Sequence, residues 1–312
     1  MGPLKRAPYM TATQAQTLWP DAWSTEDGTI MVPTAHPNIP VSYISPSSLS
    51  LWLSDRSEWA IRYLTRRDRE PQTPAMVIGA WFDTLVKEKL VADLSLGIDC
   101  AFLYTSIECK DARAEALGRE CFDHYVKSGA YASLISMVGT DVVVEDDCYG
   151  RINGVPFRGK PDLYFKTKSG HPLILDWKVN GIWGRQQSPI PGYVDSFPQR
   201  ESHKNAVPML WEGIIVDRDT TSKRPHKWQL SSYNMLLGGD GTGIQVIDQI
   251  TQSKTKGLRT CRTSYVVDDC SDFIDALTGM WEAITNGCVF TDDPDDFERQ
   301  KTLRGPTRAA LH

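Results

Sequence analysis

Asp176 and Lys178 stand two places apart in LILDWKV, residues 173–179, a run that otherwise has the composition of a buried strand. Strand side chains alternate between faces, so the two charges share one side and Trp177 takes the other. A carboxylate and an ammonium in apolar surroundings are costly unless they pair or bind something. A third charge joins them. Asp162 lies in GKPDLYF, the run just before, and the turn-forming TKSGHP between the two runs predicts an antiparallel hairpin. That pairing sets Asp162 beside Asp176 and Lys178 at one end of a sheet. Two adjacent carboxylates raise each other's pKa unless a cation lies between them. Oxygen donors so arranged suit Mg2+ or Mn2+, which keep several waters and take phosphate oxygens as further ligands. Lys178 could orient or help deprotonate an attacking water, or stabilise charge on a phosphate in transfer. The chemistry implied is phosphodiester hydrolysis. The plainer alternative is a salt-bridged strand end.

The elements that would position these residues follow from periodicity and punctuation. Helices are predicted over SPSSLSLWLSDRSEWAIRYL (45–64), where Ser45 or Ser47 can cap and Pro46 suits the first turn, over 77–92, and over about 109–137. Then TDVVVEDD, GVPFRGKPDLYFK and HPLILDWKV read as β-rich runs, with Asn153-Gly154 and Ser169-Gly170 as hairpin tips. Residues 180–227 are expected to be mostly loop, long enough to be functional or mobile. A helix over HKWQLSSYNMLLGG closes at Gly238, two strands follow at 243–252 and 258–268, and a last helix ends at Gly287. The expected fold class is α/β, with a mixed central β-sheet flanked by helices and an N-terminal helical part. Residues 1–44 are expected to form an irregular arm, 45–290 the domain, and 291–312 a loose tail. GGDGTG at 238–243 lacks the Gly-Lys-Ser/Thr of a phosphate loop and is explained by a helix stop and a turn.

Composition narrows the classes. The chain has 312 residues, 41% hydrophobic and 23% charged, enough to bury a sizeable core and too ordinary for wholesale disorder. A net charge of −5 excludes retention on nucleic acid by overall charge, though not a local basic groove. Seven scattered cysteines without a C-x-x-C pair suit reduced thiols in a cytosolic protein. No secretory signal, myristoylation signal or membrane-spanning run is visible, so a soluble intracellular chain is expected. The histidines show no zinc-ligand spacing.

At GKPDLYF followed by LILDWKV, the sequence resembles the PD-(D/E)xK nuclease superfamily: Pro161-Asp162, then Asp176, one residue, and Lys178. Two further motifs resemble its RecB-like exonuclease branch, namely the SPSSL helix and Gln229 with Tyr233 as a Q-x-x-x-Y whose spacing puts both on one helical face. The resemblance spans about 45–290 in the right order. It implies a restriction-endonuclease-like core, Mg2+ or Mn2+ as cofactor, and DNA as substrate. By the same resemblance Asp162, Asp176, Lys178, Gln229 and Tyr233 carry catalysis, and Asp162 and Asp176 hold metal. Where many members have a metal-binding His in G-x-x-x-H, this chain has Gly79 to Asp83, which makes Asp83 a candidate third ligand. The cysteines do not match the cluster-bearing members, so no iron–sulfur cluster is expected. Glu145, in VVVEDD, stands where the family often has an acidic residue, although a strand running into an acidic turn also explains it.

Five arginines, Arg56, Arg62, Arg66, Arg67 and Arg69, alternate with Trp52, Trp59 and Tyr63, a pattern that can grip single strands or can be a solvated helix face over buried aromatics. Lys160, Lys204, Lys223, Arg224 and Lys227 are further candidate phosphate contacts, with Arg62, Arg66, Arg67, Lys160 and Lys227 the foremost of the whole set. The resulting expectation is a metal-dependent exonuclease of bacterial or phage recombination or repair, cytoplasmic, with a possible helicase or recombination partner and no membrane. Its rivals are a sequence- or structure-specific endonuclease of the same core and a nucleic-acid-binding protein without turnover. Oligomeric state is not written in these motifs.

Overall fold

The chain is seen as a computed structural model that describes residues 23–24, 29–31, 43–55, 59, 62–63, 71–105, 107, 111–182, 208–211, 214–218, 226–253, 257–285 and 288–291. In chain order the first elements are β1 (Trp23–Ser24), β2 (Thr29–Met31), α1 (Pro46–Ser54), α2 (Pro74–Asp93), α3 (Ala101–Tyr104), α4 (Ala112–Lys127) and α5 (Ala130–Met137). There follow β3 (Val138–Val144), β4 (Cys148–Ile152), β5 (Val155–Gly159), β6 (Leu163–Thr167), β7 (Pro172–Asn180), β8 (Pro208–Trp211) and β9 (Ile214–Arg218). The last are α6 (Lys227–Leu236), β10 (Gly243–Ser253), β11 (Gly257–Val267), α7 (Ser271–Thr285) and β12 (Cys288–Thr291). Two compact units result: Glu70–Cys148 with Lys160–Cys270, and Met1–Arg69 with Tyr149–Gly159 and Ser271–His312.

The first unit is α/β, as expected, with a seven-stranded mixed sheet in the order β3-β6-β7-β10-β11-β9-β8. β6 and β7 form the expected hairpin, with Leu163 opposite Leu175 and Tyr164 opposite Ile174. β7 runs parallel to β10, which puts Asp176 beside Ile247 and Lys178 beside Gln249. A strand in that position is buried on both faces. On one face Leu173, Leu175 and Trp177 join Val77, Phe82, Val86, Tyr125 and Leu134 from α2, α4 and α5 in the main core. On the other, Ile174 packs with Leu230 and Tyr233 of α6.

Local chemistry explains the elements that hold the site. Thr73 caps α2 through its hydroxyl, which accepts from Met76 N–H, and Pro74 opens the first turn. α4 lies so close to α2 that a Cβ on Gly118 would stand 2.5 Å from Trp81 Cβ and 2.9 Å from the Ile78 carbonyl oxygen. The helix expected over 109–137 is two helices, because Gly129 at φ 85° turns the chain between them. Asn153, Gly154 and Gly170 have the positive φ their hairpin tips require.

GVPFRGKPDLYFK is not one strand. β5 pairs with β4 in a separate two-stranded sheet, and the chain enters the main sheet as β6 only after Lys160-Pro161-Asp162. Pro161 has no N–H to give to a ladder, so the break falls there. Residues 180–227 are not all loop either: β8 and β9 pair with each other, and β9 extends the sheet beside β11. The β-branched run Ile214-Ile215-Val216 carries that strand signal.

In the second unit, Ser45 caps α1 as expected, its hydroxyl accepting from Ser48 N–H at 3.3 Å. α1 ends at Asp55, where the backbone turns extended, rather than continuing unbroken to 64. Within the segment expected as an irregular arm, β1 and β2 pair with each other, and β2 pairs with β12. The apolar stripe of α7, Phe273, Leu277, Met280 and Ile284, is buried.

Candidate functional site

Asp83 and Lys87 lie one turn apart on α2, and the Lys87 ammonium is fully buried. It bonds Asp83 Oδ2 at 2.6 Å, Asp162 Oδ1 at 3.0 Å and Glu145 Oε2. Glu145 follows β3 at φ 51°, a strained conformation for a residue with a side chain. Its N–H donates to the carbonyls of Pro161 and Asp162, which staples the end of β3 to the segment entering β6. Carboxylate oxygens of Asp83, Glu145 and Asp162 all fall within 4.8 Å of one another. On the rim, the half-exposed Lys160 bonds Glu145 Oε1 at 2.6 Å, and its ammonium lies 5.8 Å from the centre of the Phe102 ring.

Asp162 joins this triad to the second half of the site. Its Oδ2 accepts the backbone N–H of Trp177 at 3.0 Å, and the hairpin register that pairs Leu163 with Leu175 sets it next in line with Asp176, whose charge it feels. Asp176 is buried, with Lys178 Nζ 2.5 Å from its Oδ2 in an ion contact rather than a well-directed hydrogen bond. Gln229 Nε2 donates to Asp176 Oδ1 at 3.2 Å and to the Tyr233 hydroxyl at 3.1 Å. The one-face placement expected for Gln229 and Tyr233 on their helix is what lets one amide reach both.

The charges are strongly perturbed. Burial pushes Asp176 up to about 7, with the Asp162 charge adding to the effect and Lys178 opposing it. Burial likewise raises Asp83 to about 7 against the pull of Lys87. For Asp162 burial is outweighed by Lys87, Lys178 and the Trp177 N–H, which hold it below the ordinary carboxylate range. Lys87 and Lys178 stay charged despite burial because carboxylates surround them, Asp162 and Asp83 foremost for Lys87, Asp176 foremost for Lys178. Burial also raises the Tyr233 phenol.

An all-oxygen triad with this negative charge has the donor chemistry of a Mg2+ or Mn2+ site. Of the residues expected there, Asp83 and Asp162 meet in the triad, while Asp176 adjoins it through Asp162. Glu145, which also sits in the turn at the end of a strand, is the third carboxylate of the triad. Lys87 was not foreseen; its i,i+4 spacing from Asp83 was the available signal, and it reads equally as a surface pair.

Of the expected nucleic-acid contacts, Lys160 is at the rim, but Lys227 is buried at the start of α6 and is not offered to solvent. Arg62 is exposed and lies in the other unit, whereas Arg66 and Arg67 fall outside the described residues. Trp52 and Trp59 are buried edge to face, 4.9 Å between ring centres, with the Trp59 indole bonded to Ser48. They are packing, not an open stacking surface.

Among the described residues no helix is long and apolar enough to cross a membrane. No protein-family model matches the chain, and no curated protein resembles it in sequence. One solved structure it is similar to is that of a provisionally described exonuclease from Eubacterium rectale, at 12% identity and TM-score 0.42, covering 84% of this chain and 81% of that one. A second protein, which carries a locus name alone, has 11% identity and TM-score 0.24 over 77% of this chain and 84% of its own. Likeness of that degree leaves family and activity to the site itself.

Proposed function

We propose that this chain is a divalent-metal-dependent nuclease that hydrolyses phosphodiester bonds in DNA, and more finely an exonuclease. The observation that carries the reading is the convergence of Asp162, Asp176 and Lys178 at one end of the sheet, beside Asp83 and Glu145. A cation bound by these carboxylates would supply Lewis acidity toward a phosphate oxygen. The protein's own groups do the rest. Asp176 holds the Lys178 ammonium at the site, where it orients the attacking water and offsets charge developing on the phosphate. Gln229, steadied by Tyr233, fixes the plane of the Asp176 carboxyl. Lys160 offers positive charge at the solvent edge, where a strand's phosphates would pass. The setting that accords with these parts is bacterial or phage DNA recombination or repair, with a helicase or annealing protein as candidate partner.

The test is a time course on end-labelled linear duplex, single-stranded and closed circular DNA with Mg2+, Mn2+ or EDTA. Metal-dependent loss of linear ends, with circles spared, is the expected result; cutting of closed circles would replace the exonuclease by an endonuclease. One observation favours a second reading. Lys87 already offsets part of the triad's charge, as it would in a protein that keeps the fold to bind nucleic acid without cleaving it. Absence of both divalent-ion heat in calorimetry and cleavage in any metal would select that reading.

A further inference from the structure

Lys87 stands where a cation would. Its ammonium is wholly buried and bonds all three carboxylates of the triad, Asp83, Glu145 and Asp162. Those carboxylates are partly open, with side chains 33%, 17% and 19% exposed. The lysine is closed off from solvent, while the carboxylate side chains it holds are not. Metal–oxygen bonds for Mg2+ are about 2.0–2.1 Å, so an ion bonded to the same oxygens would need the space the ammonium fills. We propose that Lys87 is the resident counter-cation of this triad, and that a divalent ion enters by replacing its ammonium, so that lysine and metal compete for the same three carboxylates. The inference rests on the metal-dependent reading above and adds to it a residue that sets metal affinity.

Two consequences follow from competition. In the metal-free chain Lys87 keeps three mutually repelling carboxylates assembled, since a buried charge cluster without a counter-charge would open or take up protons. In the metal-bound chain the ammonium gives up its carboxylate bonds, and that loss weakens apparent metal affinity. Charge-assisted hydrogen bonds of this kind correspond to a factor on the order of tenfold to a hundredfold in a binding constant.

The test is calorimetric titration of Mn2+ into the full-length, EDTA-stripped chain without DNA, for wild type, Lys87→Met and Lys87→Gln. The expected result is a single ion per chain in all three, bound roughly tenfold to a hundredfold more tightly by the variants. Unchanged or weaker Mn2+ binding in the variants overturns the proposal. So does a second ion per chain in the variants alone, which would mean that lysine stands in for a separate metal. Should neither variant fold, lysine-selective 15N labelling of the wild type decides. Loss of a solvent-protected ammonium signal as Mg2+ is added supports exchange, and its persistence at saturation overturns it. No Mn2+ binding by any form would sink the metal-dependent function as well, whereas tight binding without exchange sinks this inference alone.

Discussion

Asp176→Asn should make the metal-free protein more stable at neutral and alkaline pH while removing cleavage. The Asp176 carboxyl is buried and is pushed up to about 7 from an ordinary 3.8, first by burial and then by the neighbouring Asp162 charge. Between those two values the folded chain holds a proton that the unfolded chain has released. Stability therefore falls as pH rises through that window, and the loss is complete only above about 7. A rise of that size corresponds to about 4 kcal/mol, which is a ceiling. Water entry and relaxation bring the expected gain of the Asn variant at pH 8 to on the order of 2 kcal/mol. At pH 4, where Asp176 is protonated in the fold, the two proteins should be nearly equal. Asp83 titrates in the same window but is present in both proteins, so its contribution largely cancels. The assay is urea unfolding of wild type and variant in EDTA at pH 4, 5, 6, 7 and 8, with the difference in midpoint plotted against pH. A variant that is less stable throughout, or a difference that does not grow with pH, would refute the claim that this carboxylate is held at the expense of stability.

Lys178→Met should lower metal-dependent cleavage by roughly a hundredfold or more and leave the far-UV spectrum unchanged; cleavage within a few-fold of wild type would remove Lys178 from the mechanism. Arg262→Met strips the buried Asp248 of a partner whose Nε and Nη2 bond both its oxygens, at 2.7 and 2.6 Å. The expected cost is about 3–5 kcal/mol, read from the denaturant midpoint, and a loss under about 1 kcal/mol would mean that this pair is solvated. Gly118→Ala puts a methyl group against the α2 backbone and should destabilise by about 1–3 kcal/mol. It should also reduce cleavage, because α2 carries Asp83; stability equal to wild type would show that the helices separate without penalty.

Much of the site was legible because strand chemistry is periodic. Alternation put Asp176 and Lys178 on one face and Trp177 on the other, and the Ser169-Gly170 turn set the hairpin register. Leu163 opposite Leu175 leaves Asp162 next in line with Asp176. Helical spacing did the same for Gln229 and Tyr233. What was not legible depends on contacts between segments far apart in the chain. Nothing near Lys87 announces that Glu145, 58 positions away, and Asp162, 75 away, will close on its ammonium. A lysine four places after an aspartate normally marks an exposed face. The strands at 208–218 were hidden by the polar, proline-rich residues around them, and the break at Pro161 by the β-rich Val155-Pro156-Phe157 and Leu163-Tyr164-Phe165 on either side of the polar residues next to it.

Trp177 explains why the charged end of β7 can be held so firmly. Its indole N–H donates to the Tyr125 hydroxyl at 3.2 Å, and Tyr125 in turn donates to Asp248 Oδ2 at 2.5 Å. Arg262 grips Asp248 and reaches Ser133 and the Ala130 carbonyl, tying β10, β11, α4 and α5 into one buried network. The backbone N–H of Trp177 itself donates to Asp162. One residue is thus anchored through its side chain to the helix-covered face and through its peptide to the acidic cluster. Neighbouring side chains on a strand point oppositely, so fixing the ring of Trp177 also fixes the directions of Asp176 and Lys178 on either side of it. The network carries its charges at a distance from solvent, where an ion pair contributes little net stability against an apolar replacement. Its value lies in geometry: a polar lock on one face of the sheet holds two charged side chains in register on the other, where a slip of one residue would turn both toward the apolar cluster under α2 and α4.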